Sequence, residues 1–546
     1  MAELLRSPNV KRFNRIKLQP MKNKVRVIQK GNSLTNEKAL MLTRIKNDPR
    51  SLHFCVLVNR QWCQHAIPVL WRNPWKYRQE GCLKNLIDIY ISTLPEKTQN
   101  KLSRDEIIEF PLFNKLTFEY SKSLQSIVLS ELDNDIRLWV HNQPIRIHES
   151  SFIFKPQRKR KAAKNHTKAI WDEFHEGDDG GRIQRINYKA NKKTITYELL
   201  KFFLVNSTNI DTLYASNLSI RSFYYIMEII EWNPITKNRI DNLRQLQFGS
   251  NVIHLLPRTL CNVEYLEIEN CNLCSDGLRN FINAQNNLKE LNVKFSKARG
   301  DINKTSDIIS SKESITRLII NDSPGIFLIL KGFENLTELI ITYTEQYTVS
   351  FWKHMAKASL RNLKKLIINH NYTIYYDLIA KFIDNSSCDL EQFIINTKIQ
   401  GDQSVTDLYI KSISRHCPSL KVFQGVISVS NLSEFSQLLK CTNLKILHLY
   451  PTQKMCQFDS FMEAMMEVPF DNLSRLYLET GWKLMKIEIF KNFMNKRNSL
   501  ELKPISFHCH KNFVNRRSIF LNLCEDYKRK DYLLDYHLYG YLNNYD

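Results

Sequence analysis

Two short clusters hold the residues best suited to bind a metal. Cys271-Asn272-Leu273-Cys274 has the two-residue gap of a zinc-ligand pair, and His508-Cys509-His510 sets three donors in a row. A tetrahedral zinc site needs four ligands, usually from two such pairs. No second pair completes Cys271 and Cys274, and three consecutive donors are too tight to close a site without distant ligands. Both clusters are expected to be structural, Cys271 as the residue after a strand and the His-Cys-His run as a strand end. The chain has no phosphate-loop motif, no nucleophile elbow and no His-Glu-x-x-His pair. Glycine is scarce, 14 of 546 residues, against a usual content near ~7%, which argues against loops that cradle phosphate by close backbone approach. Carboxylates cluster only at Asp172, Glu173, Glu176, Asp178 and Asp179, in a polar stretch with no rigid pocket to tune an acid and a base. No catalytic residue, metal or cofactor is expected. The chemistry that remains is recognition.

The formal charge of +23 has the look of a nucleic-acid footprint until it is located. Residues 1–30 hold nine Lys/Arg against Glu3, and Lys155 to Lys168 adds seven basic residues and no acid, so two short tracts carry +15 of the excess. Such runs are solvated tails or loops more often than binding faces. Residues 155–193, with the acidic cluster and Gly180-Gly181, read as a mobile insertion. The twelve cysteines are scattered and no secretory signal opens the chain, which points to free thiols and a cytoplasmic or nuclear setting. No apolar run approaches the ~20 residues that span a bilayer, so a membrane partner is not expected.

The elements that could present a recognition surface come from a recurring pattern. Asn287-Leu288-Lys289-Glu290-Leu291-Asn292-Val293, Asn335 to Ile341, Asn362 to Ile368 and Asn443 to Leu449 each place apolar residues at positions one, four and six. With the first apolar residue as anchor, copies stand at Ile210, Leu243, Val263, Leu288, Ile315, Leu336, Leu363, Leu390, Leu420, Leu444 and Leu473, on average about 26 residues apart. The residue before each anchor is small and polar, mostly Asn, a type that bonds its own backbone and punctuates a chain entering a strand. Amphipathic stretches lie between anchors, as in Asp276 to Asn286 with Leu278, Phe281 and Ile282 on one face. Strand then helix at this period is the leucine-rich-repeat unit. Gly425 and Ala215 break the sixth position of two copies, and a further candidate anchor at Leu500 has Lys503 where a core residue belongs. The expected array covers residues 201–525. Residues 76–200 are expected to be a linker or degenerate first repeats, and 526–546 a cap or tail.

Residues 33–75 differ in texture. Ser33 or Thr35 can cap a helix carrying Leu40, Met41, Leu42 and Ile45. Asp48-Pro49 then reads as an N-cap with Pro at the first helical position. This second helix runs to about Val58, Asn59-Arg60 breaks it, and a third segment with Trp62, Ala66 and Ile67 ends at Pro68. Three short helices bury little surface alone, so their apolar excess packs on a partner or on the neighbouring array.

The stretch Ser51 to Trp62, with Cys63 to Pro68 and Leu70-Trp71, resembles the F-box of fungal F-box and leucine-rich-repeat families, and Leu34, Leu40, Ile45 and Asp48 fit its leading positions. Thr35 stands where that motif has Pro. The resemblance implies a non-catalytic substrate receptor of an SCF-type cullin–RING ubiquitin ligase, with the F-box docked on a Skp-type adaptor and through it on a cullin. It implies that Leu34, Leu52, Cys55, Leu57, Val58 and Trp62 make the adaptor contact or hold its helices. The expected fold is α/β, a leucine-rich-repeat solenoid, or horseshoe, preceded by a small three-helix F-box.

If positions one, four and six face the core, positions three, five and seven face the concave side. Position five then brings Ile319, Ile340, Ile367 and Ile394 together as an apolar stripe, with Asn292 and Gln424 at its ends. Arg317, Glu338 and Lys365, with Glu290 and Lys294, form a polar rim, the usual dress of a protein-binding patch. An unknown protein substrate is the expected occupant. His448, Tyr450, Arg475 and Tyr477 form a second patch. Two other readings stand beside the receptor: a leucine-rich-repeat scaffold that does not bind the adaptor, and an RNA-binding array that uses the basic tracts. A nucleic-acid partner is not the expectation.

Overall fold

A computed structural model describes residues 48–76, 83–105, 118–141, 179–216, 234–249, 260–269, 276–294, 313–322, 330, 332–343, 349–370, 374–397, 403–440, 443–452, 458–468, 472–479, 481–483, 485–510 and 517–539. The chain divides into two compact units between Leu70 and Trp71. In the first, α1 spans Pro49–Val58 and α2 spans Arg60–Leu70. Asp48 caps α1 as its type demands: one carboxylate oxygen accepts from the backbone N–H groups of Arg50 and Ser51 at 3.1 and 3.3 Å, and the other accepts the Ser51 hydroxyl at 2.5 Å. That hydroxyl bond, foremost, holds the Asp48 carboxyl below its ordinary range. Asn59 is extended and ends α1, and its side-chain oxygen accepts from Trp62 N–H to start α2. Helix α2 does not stop at Pro68; it continues to Leu70 with Pro68 inside it. The expected first helix of this module, with Leu34 and Thr35, lies outside the described residues, as do residues 1–30, 155–168 and Cys271/Cys274.

The second unit starts earlier than the module boundary expected at residue 75. Trp71 packs its ring on Tyr90 and Tyr120, and the Arg72 carbonyl accepts from the N–H groups of Gln125 and Ser126, where the sheet begins. Helices α3 (Leu83–Thr93) and α4 (Glu96–Asp105) come first, then β1 (Ser126–Val128), α5 (Leu129–His141) and α6 (Asp179–Asn206). Helix α6 begins inside the segment expected as a mobile insertion. Its Lys192 pairs with Asp133 at 2.7 Å and its Glu198 with Lys101 at 2.9 Å, tying it to α5 and α4. Buried indoles are satisfied here too: Trp75 donates to Asp135 at 3.3 Å and Trp139 to Asp88 at 2.6 Å, as buried polar groups require.

The remaining strands are β2 (Thr212–Ala215), β3 (Gln245–Gly249), β4 (Tyr265–Glu269), β5 (Glu290–Lys294), β6 (Arg317–Asn321) and β7 (Glu338–Tyr343). They continue as β8 (Lys365–His370), β9 (Gln392–Thr397), β10 (Val422–Ile427), β11 (Ile446–Pro451), β12 (Arg475–Leu478), β13 (Ile505–His510) and β14 (Leu533–Tyr539). Between them run α7 (Pro234–Asp241), α8 (Asp276–Ala284), α9 (Val349–Ala356), α10 (Tyr376–Ser386), α11 (Gln403–His416), α12 (Leu432–Leu439), α13 (Asp459–Glu467), α14 (Ile487–Ser499) and α15 (Arg517–Arg529). Among the described residues all 14 strands form one sheet in strict sequence order, and each pairs in parallel with its neighbours, as in β7 to β8. A parallel sheet in sequence order, with helices on the return path, is the arrangement of a repeat solenoid.

Every one of the eleven anchors lies two residues before a strand, and positions one, four and six are buried, as in Leu363, Leu366 and Ile368 at 0% exposure. Phe393 and Phe423, both at position four, stack on each other and Phe393 stacks on Tyr409 of α11, which puts the helical layer on that face. Several of the small polar residues before the anchors act across repeats, whereas Asn242 donates to the Asn238 carbonyl in its own copy at 2.9 Å. The side-chain amides of Asn262, Asn335 and Asn362 each donate at 3.0 Å to a carbonyl of the preceding copy, on Asp241, Glu313 and Glu334.

The sheet outruns the expected array at both ends. Leu124, Ile127 and Leu129 follow the same pattern after Ser123 and are buried, making β1 a copy missed because 86 residues separate it from Ile210. The anchor proposed at Leu500 is displaced: Phe507 and Cys509 align with Leu476 and Leu478, so Pro504 holds the anchor position, and Leu500 is 48% exposed at the end of α14. Strand β14, drawn from the tail, pairs with β13 across a register shift and supplies the sheet's last edge.

Candidate functional site

Helix α1 places its apolar residues unevenly. Leu52 is fully buried, whereas Phe54, Leu57 and Val58 are 66, 63 and 62% exposed. Their spacing of three and four puts them on one face of the helix. Cys55 and Trp62 are half-buried, and burial raises the Cys55 thiol pKa. Of the adaptor residues expected from sequence, Leu57 and Val58 are open to a partner, and Leu52 serves packing. Phe54 was passed over, although its spacing to Leu57 and Val58 was readable.

On the sheet, positions three, five and seven lie on the face away from the helices. Ile319, Ile340, Ile367 and Ile394 are in register on β6 to β9, and all four are half-exposed. Asn292 and Gln424 flank them on β5 and β10. Position three carries an alternating ladder: Arg317 bridges Glu290 at 2.8 Å and Glu338 at 3.1 Å, and Glu338 reaches Lys365 at 2.6 Å. Two acids and two bases therefore cancel in the plane of the sheet. Position seven carries three amides and Thr342: Asn321 donates to Asn292 at 2.9 Å, Asn369 to the Thr342 hydroxyl at 3.3 Å, Asn396 to Asn369 at 2.6 Å, and Gln424 donates to Asn396. The apolar row thus runs between a self-neutralised ionic row and a self-bonded amide row.

Towards the C-terminal end the same fifth position turns aromatic. His448, Tyr477, His508 and His537 follow one another in register on β11 to β14. Tyr477 and His508 stack at 4.5 Å between ring centres and 13° between planes, and Tyr450 stacks on His448 at 4.9 Å. His448 also meets Glu479 at 2.9 Å. Burial first, then the neighbouring His537, depresses the His508 pKa. The sequence patch of His448, Tyr450, Arg475 and Tyr477 is thus brought together and extended by two histidines.

At the opposite end, position five holds Tyr214, Gln247 and Glu267 on β2 to β4. Glu267 accepts from the Tyr265 hydroxyl at 2.6 Å and the Gln247 amide at 3.1 Å, and Glu269 accepts from the same amide at 3.3 Å. Burial, then the charge of Glu267, raises the Tyr214 pKa. This end is acidic.

Among the described residues no group of three or more His, Cys, Asp or Glu is placed to hold a metal ion, and no helix is long and apolar enough to cross a membrane. His508, Cys509 and His510 sit in β13 on alternating sides, with Cys509 in the core.

No protein-family model matches the chain, and no curated protein matches it. Among solved structures it is similar to one described as "Crystal structure of Rad7 and Elc1 complex in yeast", with a TM-score of 0.36 and 12% identity over 64% of this chain and 91% of that chain. A likeness of that degree carries no argument about function.

Proposed function

We propose that this chain is the substrate-recognition subunit of an SCF-type cullin–RING ubiquitin ligase. Helix α1 would dock on a Skp-type adaptor, and the repeat array would hold a protein substrate. On this reading the chain transfers no group itself. One observation carries the proposal: Phe54, Leu57 and Val58 stand exposed on a helix whose sequence resembles an F-box. Moving such side chains from water into a partner contributes about 1.5–3 kcal/mol each, enough for three to anchor an interface.

Leu57→Asp combined with Val58→Asp is expected to abolish co-purification of a Skp-type adaptor. Both positions are exposed, so the thermal melt of the chain should stay unchanged. Adaptor recovery equal to that of the natural chain would reject the assignment and leave a repeat scaffold.

A further inference from the structure

The open face limits what can lie on it. Strands are about 4.8 Å apart, so the four isoleucines of β6 to β9 cover three gaps, or roughly 14 Å. An α-helix crossing the strands rises 1.5 Å per residue, so side chains at i, i+3, i+7 and i+10 cover about 15 Å. An extended segment advances roughly 6.7 Å for every same-face side chain and would cover about 20 Å. It falls out of step with the row by the third strand. A helix keeps step.

Charge supplies the second constraint. Beside the isoleucines, Glu290, Arg317, Glu338 and Lys365 are spent on one another, and a partner gains nothing by adding charge there. Glu267 and Glu269 differ. Among the described residues they bond only neutral groups, the Gln247 amide and the Tyr265 hydroxyl, and neither has a cation at ion-pair distance. Both are half-buried. Glu267 lies two strands from Ile319 in the same row, about 10 Å away, or roughly seven residues along a helix.

We propose that β4 to β9 receive an amphipathic α-helix of a partner protein, crossing the strands with one apolar side chain per isoleucine and a Lys or Arg over Glu267 and Glu269. This rests on the array being the receptor surface. The motif it reads is a basic residue, then about seven positions on an apolar series at spacings of three, four and three.

The test offers immobilised full-length chain a display library of random 20-residue peptides. Enriched peptides should carry that motif and gain helical circular dichroism on binding. Ile340→Thr with Ile367→Thr keeps β-branched residues in the strands and should weaken their binding at least tenfold. Glu267→Gln with Glu269→Gln, two changes that keep side-chain size, should weaken it several-fold and flatten its salt dependence. Enrichment of alternating apolar sequences, no enrichment, or equal binding by either variant would overturn the proposal. So would displacement of the selected peptides by a peptide of residues 155–168, which would make this chain's own basic tract the occupant. Adaptor recovery is measured on the same preparations. Failure of the natural chain to bind a helix while it recovers the adaptor sinks this inference alone, and helix binding without adaptor recovery sinks the ligase assignment alone.

Discussion

Gly425 shows how one residue can look like a defect and be a fitting. At position six of its copy it breaks the leucine pattern, and from sequence it reads as fraying. In the structure a Cβ there would stand 2.9 Å from both the Phe423 ring and the Tyr409 hydroxyl. Tyr409 is fully buried, and its hydroxyl donates to the Val426 carbonyl across the space that a side chain would fill. The missing methyl is replaced by a ring from α11. Gly425→Ala should therefore destabilise the chain by about 1–3 kcal/mol, the usual cost of overpacking, read as a lower urea midpoint. An unchanged midpoint would mean that the tyrosine moves aside freely. The charged rim was visible as residue types, but its pairing was not. Only strand register reveals that Arg317 sits between Glu290 and Glu338 and is spent on them.

The strands of the array were legible because their pattern combines two signals, three apolar positions and a small polar residue before them. Where one signal failed, the reading slipped. Strand β13 has Pro504 at its anchor, so a leucine four residues earlier attracted the assignment. Strand β14 keeps apolar residues at positions one, four and six, Leu533, Tyr536 and Leu538, but Tyr532 stands where the small polar residue belongs and its register shifts. The imidazole row on β11 to β14 was half seen for the same reason. His508 in that row faces Tyr477 and Arg475 on β12, Asp535 and His537 on β14, and His448 beyond. Burial foremost, then the positive potential of His537, Arg475 and His448, favours its neutral form, with Asp535 opposing. The unfolded chain therefore takes up this proton first. Stability should be level above about pH 6.5 and fall as the pH drops below it. Thermal melts between pH 7.5 and 5.5 should show a steeper decline for the natural chain than for His508→Asn. Parallel curves would remove His508 from the account.

Over the whole molecule, the division at Leu70 separates a small unit that shows an apolar helix face from a long array that shows a graded one. Fold class was readable from periodicity; the extent of the array was not, since β1 stands far from the next copy and β14 has Tyr532 in place of a small polar residue before its anchor. The last edge matters for solubility, because unpaired strands recruit other chains. Deleting residues 531–546 removes β14 and leaves β13 open, and light scattering should then report self-association at concentrations where the full chain stays monodisperse. Unaltered scattering would mean that β13 is protected otherwise. The strict strand order has a further consequence during biosynthesis. Each strand's sheet partners are its immediate neighbours in sequence, so a nascent strand emerging from the ribosome docks on one already made. From β2 onward assembly keeps pace with translation; β1 alone waits for a partner more than 80 residues later. The exposed growing edge travels with the ribosome and passes from β13 to Leu533–Tyr539.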